Sequence, residues 1–199
     1  MLALLFEVMP KPGHTEHYFR HVDILKPVLA KHTGMVWLDR YRSLSRDNLI
    51  LSHQLWEDDA AITRWREDKV HQGSQSAGRN KHFQDYRIRI AEVFARVDKG
   101  EEMRRFATGA DASGDYLIVG HSRDEALLEL GESFASVNIP GNIVSISQAA
   151  DEDQALAALS SIAEKPAMTW AFAARMTRDY GMYERAQAPQ DYPAIERTD

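Results

Sequence analysis

The stretch that most constrains the fold is the first one. "LALLFEV", from Leu2 to Val8, sets Leu2, Leu4, Phe6 and Val8 on one face of an extended chain and Ala3, Leu5 and Glu7 on the other. Side chains alternate faces along a strand, so nearly every position here calls for burial. A sheet with one wet face does not tolerate that. "NLILSHQLW" (48–56) makes the same demand. Both strands predict a sheet covered on its two sides, by helices on one and by a second apolar surface on the other.

The elements around them follow a recognisable order. Thr15 is placed to cap a helix running to about His32, with Tyr18, Val22, Leu25 and Leu29 spaced 4, 3 and 4 on one stripe. Pro27 should bend it, and Gly34 fits just past its end. "MVWLDRYRSL" and "NLILSHQLW" read as strands joined by the turn "SRDN". "EDDAAITRW" opens a helix capped by Asp58 or Asp59, and "YRIRIAEVFARV" is a strand whose apolar parity changes near Ala91, as a bulge or two buried faces would require. The order is β-α-β-β-α-β, the ferredoxin-like arrangement of an α+β fold.

Residues 1–98 form this first domain, 99–114 a polar Gly/Ser-rich linker, and 115–199 a second half. There "YLIVGH" is a strand, and Ser122 with Glu125 resembles a capping box opening a helix with Leu127, Leu130, Phe134 and Val137 on one side. "NIVSISQ", a helix from Asp151 and the strand "MTWAFAARM" follow; the tail from Arg178 reads as irregular. "QLWEDDAAI" from Gln54 aligns with "QAADEDQAL" from Gln148, a faint internal echo. It sets Leu159 against Trp65 and Lys165 against His71. The second half is about twenty residues shorter before this junction, so a strand is expected to be missing there.

Composition narrows the function. The chain has 199 residues, a net charge of −6 and no block of basic residues, which argues against nucleic-acid partners and anionic membranes. It has no cysteine, so thiolate metal sites, iron–sulfur clusters and cysteine nucleophiles are out. "MLALLFEVMP" carries Glu7 and meets Pro10, and reads as a strand and not as a secretion signal; the expected compartment is the cytoplasm. No phosphate-binding glycine loop follows a strand.

The histidines carry the candidate chemistry. Trp65 and His71 lie six residues apart, about 240° on a continuous helix, so they face one ligand only if the helix breaks between them. His71, Gln75, Arg79 and His82 are spaced 4, 4 and 3, either a solvated face or a pocket wall able to hold an anion and move protons. His53 lies between Leu51 and Leu55, and Glu7 in the first strand; each is either a buried structural group or a ligand contact inside a barrel. Tyr86 joins them at the start of its strand. His14, His17 and His21 share one helix face, read as exposed in preference to a metal site.

"LWEDDAAITRW", His71, Gly78-Arg79 and "DYRIRIAEV" resemble the antibiotic biosynthesis monooxygenase family of the dimeric α+β barrel superfamily, over roughly residues 1–98. The resemblance implies two ferredoxin-like sheets packed face to face as a barrel, here as two tandem halves with the C-terminal one a degenerate copy. The barrel closes within one chain or between the first halves of two chains, and a homodimer is compatible with either arrangement. It also implies an activity: family members oxygenate phenolic polyketides without metal or flavin, oxidise quinols, or degrade haem. In the cofactor-free type a Trp and a Tyr six residues apart flank the substrate; here His71 replaces the Tyr. The haem-degrading type has an Asn in the first strand, absent from "LALLFEV". Three readings follow. The first is a cofactor-free oxygenase of an aromatic quinol or polyphenol, with Trp65 stacking, His71 as base, Arg79 on the anion, and His53, Glu7, His82 and Tyr86 contacting substrate. The second is a haem protein with His71 or His82 as axial ligand. The third is a non-catalytic barrel for a small aromatic or hydrophobic ligand.

Overall fold

The demand for burial on both faces is met by closing the sheet. In the computed structural model, which describes residues 1–109, 114–124, 126–127, 131–190, 192–193 and 195–196, β1 (Leu2–Pro10) runs antiparallel between β3 (Ile50–Trp56) and β4 (Phe83–Asp98). β3 pairs β2 (Met35–Ser43), β2 pairs β7 (Glu132–Ser136), and the ladder continues through β8 (Asn142–Ala149), β6 (Tyr116–Arg123) and β9 (Met168–Gly181) back to β4. Because β4 also pairs β1, the ladder closes into a ring of eight strands, with the two-residue β5 (Arg104–Arg105) added on the free part of β4. The result is an α+β barrel.

Ala3, Leu5, Leu51 and Leu55 point inward and meet Leu117, Val144, Phe172 and Ala174 from the far side of the ring. Leu4 and Phe6, on the other face of β1, turn outward toward α1 (Thr15–Leu29) and α2 (Asp59–Glu67). On the opposite wall α4 (Glu152–Ala163) covers Ile118, Ala171 and Ala173. Strand β4 serves both walls. Its pairing with β9 slips at Ile90/Ala91 and again at Val93/Ala95, so Ile90 packs beneath α2 while Ala95 and Val97 pack beneath α4. The parity change in its sequence is this bulge.

The local rules held unevenly. Asp58 caps α2 by accepting from the Ala61 amide at 2.7 Å, and Asp151 caps α4 from Gln154 at 2.8 Å. Gly34 sits at φ +92°, and a Cβ there would lie 2.5 Å from that of Ala61, so glycine alone lets the chain pass. Thr15 does not cap α1. His14 holds that position without a side-chain bond, while the Thr15 hydroxyl donates to Asn48 Oδ1 at 2.6 Å. Helix α1 ends at Leu29, two residues after Pro27, and not near His32.

The helix expected after Ser122 does not exist among the described residues. Ser122 is still in β6, paired with Ile143, and Phe134 lies in β7. Glu125 and Leu130 lie outside the described residues. Four strands, β6 to β9, are described in the shorter half, so the element without a described counterpart there is the helix and not a strand. The edge of β2 away from β3 supplies the reason: Arg42 and Ser43 pair with Ala135 and Phe134, and a ladder there satisfies backbone groups that would otherwise lie at an open sheet edge.

Candidate functional site

A cavity of about 210 Å³ lies between the outer face of β1–β4 and the helices above it. Its walls are largely apolar, with Leu4, Phe6, Leu25, Leu38, Ile62 and Ile88 contributing from sheet and helices. Helix α1 roofs it because the Tyr18-Val22-Leu25-Leu29 stripe faces the sheet, and Tyr18 is anchored beside Val8 and Ile50.

Trp65 and His71 converge here because the helix breaks. Asp68 leaves helical geometry at ψ 130° and its Oδ1 accepts from the Val70 and His71 amides at 2.9 and 3.1 Å, starting α3 (Lys69–Ala77) afresh. The two rings then stack at 4.0 Å and 17°. His32 closes the other side of the break, 3.2 Å from Asp68 Oδ2 and edge-on to Trp65 at 5.2 Å. His71 Nδ1 is 2.8 Å from the Trp65 carbonyl oxygen. A carbonyl only accepts, so Nδ1 carries the proton and Nε2 presents a lone pair. The 3.2 Å approach of Gln75 Nε2 to the same nitrogen is then a contact and not a bond; that amide donates to the Arg66 carbonyl at 3.0 Å. Burial pushes the His71 pKa down to about 4. The imidazole is therefore neutral across the physiological range.

His71, Gln75, Arg79 and His82 all line the cavity. They do so across a change of helix type, since α3 gives way to a π-helical turn at Gly78–His82, a feature frequent at functional sites. Gly78 lets it approach: a Cβ there would fall 2.3 Å from the Phe83 ring. Arg79 is buried and committed. Nη1 donates to the Met182 carbonyl at 2.7 Å and to Tyr86 Oη at 3.1 Å, and Nη2 to the Pro193 carbonyl at 3.1 Å. Arg185 Nη1 also donates to Tyr86 Oη, at 3.1 Å. Tyr86 thus accepts from two guanidinium groups, and its own O–H has no acceptor among the described residues. It lines the cavity.

The structure does not bring Glu7 and His53 to this cavity. Both point inward from the barrel wall. Glu7 is ion-paired with Arg89 and with Arg46, the latter at 3.1 Å, and His53 is wholly buried among aromatic rings. The three-histidine face of α1 is not simply exposed. His82 reaches across to it, stacking on His17 at 4.6 Å with its Nδ1 3.0 Å from that of His14. Among the described residues no group of three or more His, Cys, Asp or Glu side chains is arranged to hold a metal ion.

Reasoning from sequence missed the tail. Tyr192 and Gln190 close the cavity, both bonded to Gln75 Oε1, at 3.1 and 3.0 Å, and Arg185 lies over the Tyr192 ring at 5.3 Å. The interleaving of tyrosines with arginines in "RDYGMYERAQAPQDYP" was the available sign, because buried Tyr–Arg stacks use both residues. Tyr18 and Arg40 were missed as well. Burial raises the Tyr18 pKa, partly offset by the Arg40 guanidinium beside it.

A haem does not fit this site as it stands. Pockets for ligands of drug or cofactor size run from about 300 to 1,000 Å³, against about 210 Å³ here, and the His71 ring lies flat against Trp65.

The chain is similar to known proteins in sequence and in fold. The jasmonate monooxygenase ABM of Pyricularia oryzae is 27% identical over 220 residues, covering 97% of this chain and 99% of that protein. Among solved structures, an aldoxime dehydratase superposes with a TM-score of 0.53 at 8% identity, over 87% of this chain and 80% of that one, a likeness of fold alone. An anthrone oxidase-like protein aligns over 95% of this chain and 96% of its own, with a TM-score of 0.43 and 10% identity. Residues 1–77, which hold β1 to α3 and with them Trp65 and His71, match the family model described as antibiotic biosynthesis monooxygenase.

Proposed function

We propose that the chain is a small monooxygenase that oxidises a phenolic or quinol-type aromatic substrate with O₂, without metal or flavin. The observation that carries this is the Nε2 lone pair of a neutral, buried His71, held against Trp65 in an apolar cavity. The substrate ring lies beside Trp65, and its phenolic O–H gives a proton to His71 Nε2. Tyr86 donates to the developing oxyanion, with Arg79 and Arg185 polarising it from behind. This moves the anion contact from Arg79, whose terminal nitrogens are occupied, to Tyr86. The electron-rich anion transfers an electron to O₂, and the two radicals join at a ring carbon. Loss of that carbon's proton with O–O cleavage leaves a carbonyl and releases water. One oxygen atom enters the product and the other leaves as water, so no further reductant is needed. His82, at the rim, and Tyr192, over the cavity, contact the substrate in this reading.

The same reading treats residues 1–98 and 115–199 as two tandem ferredoxin-like halves joined by 99–114. It is supported by matching strand orders, β2-β3-β1-β4 and β7-β8-β6-β9. One chain then closes the barrel by itself, and a homodimer is not required for the site. No described helix is long and apolar enough to cross a membrane, in keeping with a cytoplasmic enzyme.

The relative's name favours a second reading, a small carboxylic acid with an apolar body like jasmonate. Arg40, which lines the cavity with an Nε lacking a partner among the described residues, is the cation for its carboxylate. Hydroxylating such a C–H bond needs two electrons from an added donor. The experiment is uptake of ¹⁸O₂ with a panel of fused-ring phenols and quinols, and with jasmonic acid with and without a reductant, in the presence of a chelator. Incorporation of one labelled atom into a phenol without reductant supports the first reading. Turnover of jasmonic acid dependent on a reductant replaces it with the second. Activity lost to the chelator and restored by a divalent metal removes the metal-free chemistry.

A further inference from the structure

The inner face of the same sheet carries polar groups that the outer cavity does not use. Trp37, Asp39 and Tyr41 of β2 and His53 of β3 point into the barrel, where His121 of β6 and Trp170 of β9 meet them. His121 lies flat on Trp170, 3.7 Å between centroids and 9° between planes. Trp37 stands edge-on to both, at 5.3 Å from each. His53 lies 5.1 Å from His121 in a near-parallel plane. The two imidazoles are 0% and 5% exposed. Among the described residues neither nitrogen of His53 has a hydrogen-bond partner, and neither has Nε2 of His121. Native interiors seldom leave such groups unmatched without a further occupant.

The hydrogen-bond directions say what that occupant must offer. Asp39, buried, accepts from Ser136 Oγ at 2.8 Å, Asn138 Nδ2 at 2.7 Å and the Arg40 amide at 2.8 Å. Burial raises the Tyr41 pKa, and Asp39 beside the Tyr41 hydroxyl joins in raising it. The Tyr41 oxygen lies 3.4 Å from His121 Nδ1, with the direction of that bond set by the imidazole tautomer. His121 Nε2 is left without a partner in either tautomer. Burial keeps both imidazoles neutral, with the His53 pKa down to about 3. The site therefore leaves three ring nitrogens unmatched, and a group that both donates and accepts, as a hydroxyl does, suits them. A cavity of about 250 Å³ opens beside it, walled by Trp37, Trp170 and His121, with Asn138 and Thr169 at its edge. Two indoles favour a flat ring, and the Asp39 carboxylate disfavours an anion. The cation beyond Trp170, Arg96, is already paired with Asp98 at 2.7 Å.

We propose that this cavity inside the barrel is a second binding site, for a small neutral aromatic molecule bearing a hydroxyl group that hydrogen-bonds to His121 Nε2. It is separated from the Trp65–His71 cavity by the thickness of the sheet and draws on strands from both ends of the chain, so it stands whether or not the oxygenase reading does. The test is a titration of the full chain, labelled with ¹⁵N-histidine, with phenol at neutral pH, and in parallel with toluene, which has the same shape and no donor. The expected result is a saturable shift of the His121 and His53 ring nitrogens with phenol, and toluene binding at least about tenfold more weakly, the equivalent of one lost hydrogen bond. His121→Phe should abolish the His53 shift. If that variant does not fold, the phenol–toluene comparison on the unaltered chain decides. Shifts confined to His71 and His82 would place the probe in the outer cavity alone and overturn the proposal. So would no shift at either inner histidine, or equal affinity for toluene.

Discussion

Helices α2 and α4 begin at matching strand-to-helix junctions, yet one roofs a cavity and the other lies flat on its wall. Both start on an aspartate that accepts from the amide three residues on. Both bury an alanine and, four residues later, a large side chain: Ala61 and Trp65 in one, Ala155 and Leu159 in the other. The difference is what surrounds them. Leu159 and Ile162 are fully buried, and Leu127 presses so close that a Cβ on Gly120 would lie 2.9 Å from its Cδ1. Trp65 is instead followed by a broken helix and a π-helical turn, neither of which has a described counterpart after α4, and the tail beyond β9 returns over them. A cavity here comes from added segments that hold the roof off the sheet, not from the barrel itself.

The comparison can be broken hardest at His71. His71→Ala should lower turnover by roughly 10²–10⁴-fold, the usual cost of losing a general base, whereas Lys165→Ala, its counterpart in the second half, should leave turnover unchanged. Steady-state kinetics on both variants checks this, and equal effects would erase the asymmetry. The acid limb of kcat/KM in the unaltered chain should fall near pH 4, well below the free imidazole value of about 6.5, because burial holds His71 neutral.

Next in size is Leu159. Leu159→Ala should cost about 2–5 kcal/mol of stability through the cavity it leaves, measured by denaturant unfolding, with kcat per folded molecule retained. A loss of kcat without loss of stability would mean that the second wall takes part in the chemistry.

Acid sensitivity sharpens the contrast between the barrel and its surface. His53, His71 and His121 all have pKa values held down by burial. Below about 6.5 the unfolded chain binds protons that the folded chain refuses, so stability falls as pH drops from there toward 4 for His71 and 3 for His53, and is insensitive to these groups above. Each contributes a slope of up to about 1.4 kcal/mol per pH unit. His53→Asn should flatten the profile of thermal midpoint against pH; an unchanged profile would show that His53 is not buried as a neutral group.

The smallest effect is expected at the tail. Tyr192→Phe removes the bond to Gln75 Oε1 and should raise KM by roughly two- to tenfold, the equivalent of about 0.5–1.5 kcal/mol, with little change in kcat. A fall in kcat with KM unchanged would turn Tyr192 from a lid contact into a participant.

Much of this was legible along the chain, because it depends on neighbours in sequence. The β-α-β-β-α-β order, the Asp58 and Asp151 caps, the parity change near Ala91 and the need for a break between Trp65 and His71 follow from alternation, helical angle and short side-chain-to-backbone bonds. The demand of β1 for burial on both faces was set in the same way. Other features were decided only when distant segments met. The capping pattern at Ser122 described a plausible helix, but the open edge of β2 claimed Phe134 and its neighbours for a strand, since a ladder bond at a sheet edge depends on a partner that sequence spacing does not reveal. Whether His53 faced a ligand or a core depended on which strand closed the ring, and His121 and Trp170 arrive from more than sixty residues away. The Tyr86 hydroxyl became a donor when Arg79 and Arg185 filled its lone pairs, and Tyr192 reached the cavity because β9 ran on to Gly181 and turned the tail over it. Local preference acts through the backbone of a few adjacent residues; burial, pairing and proton placement depend on what the whole ring brings within a few ångströms.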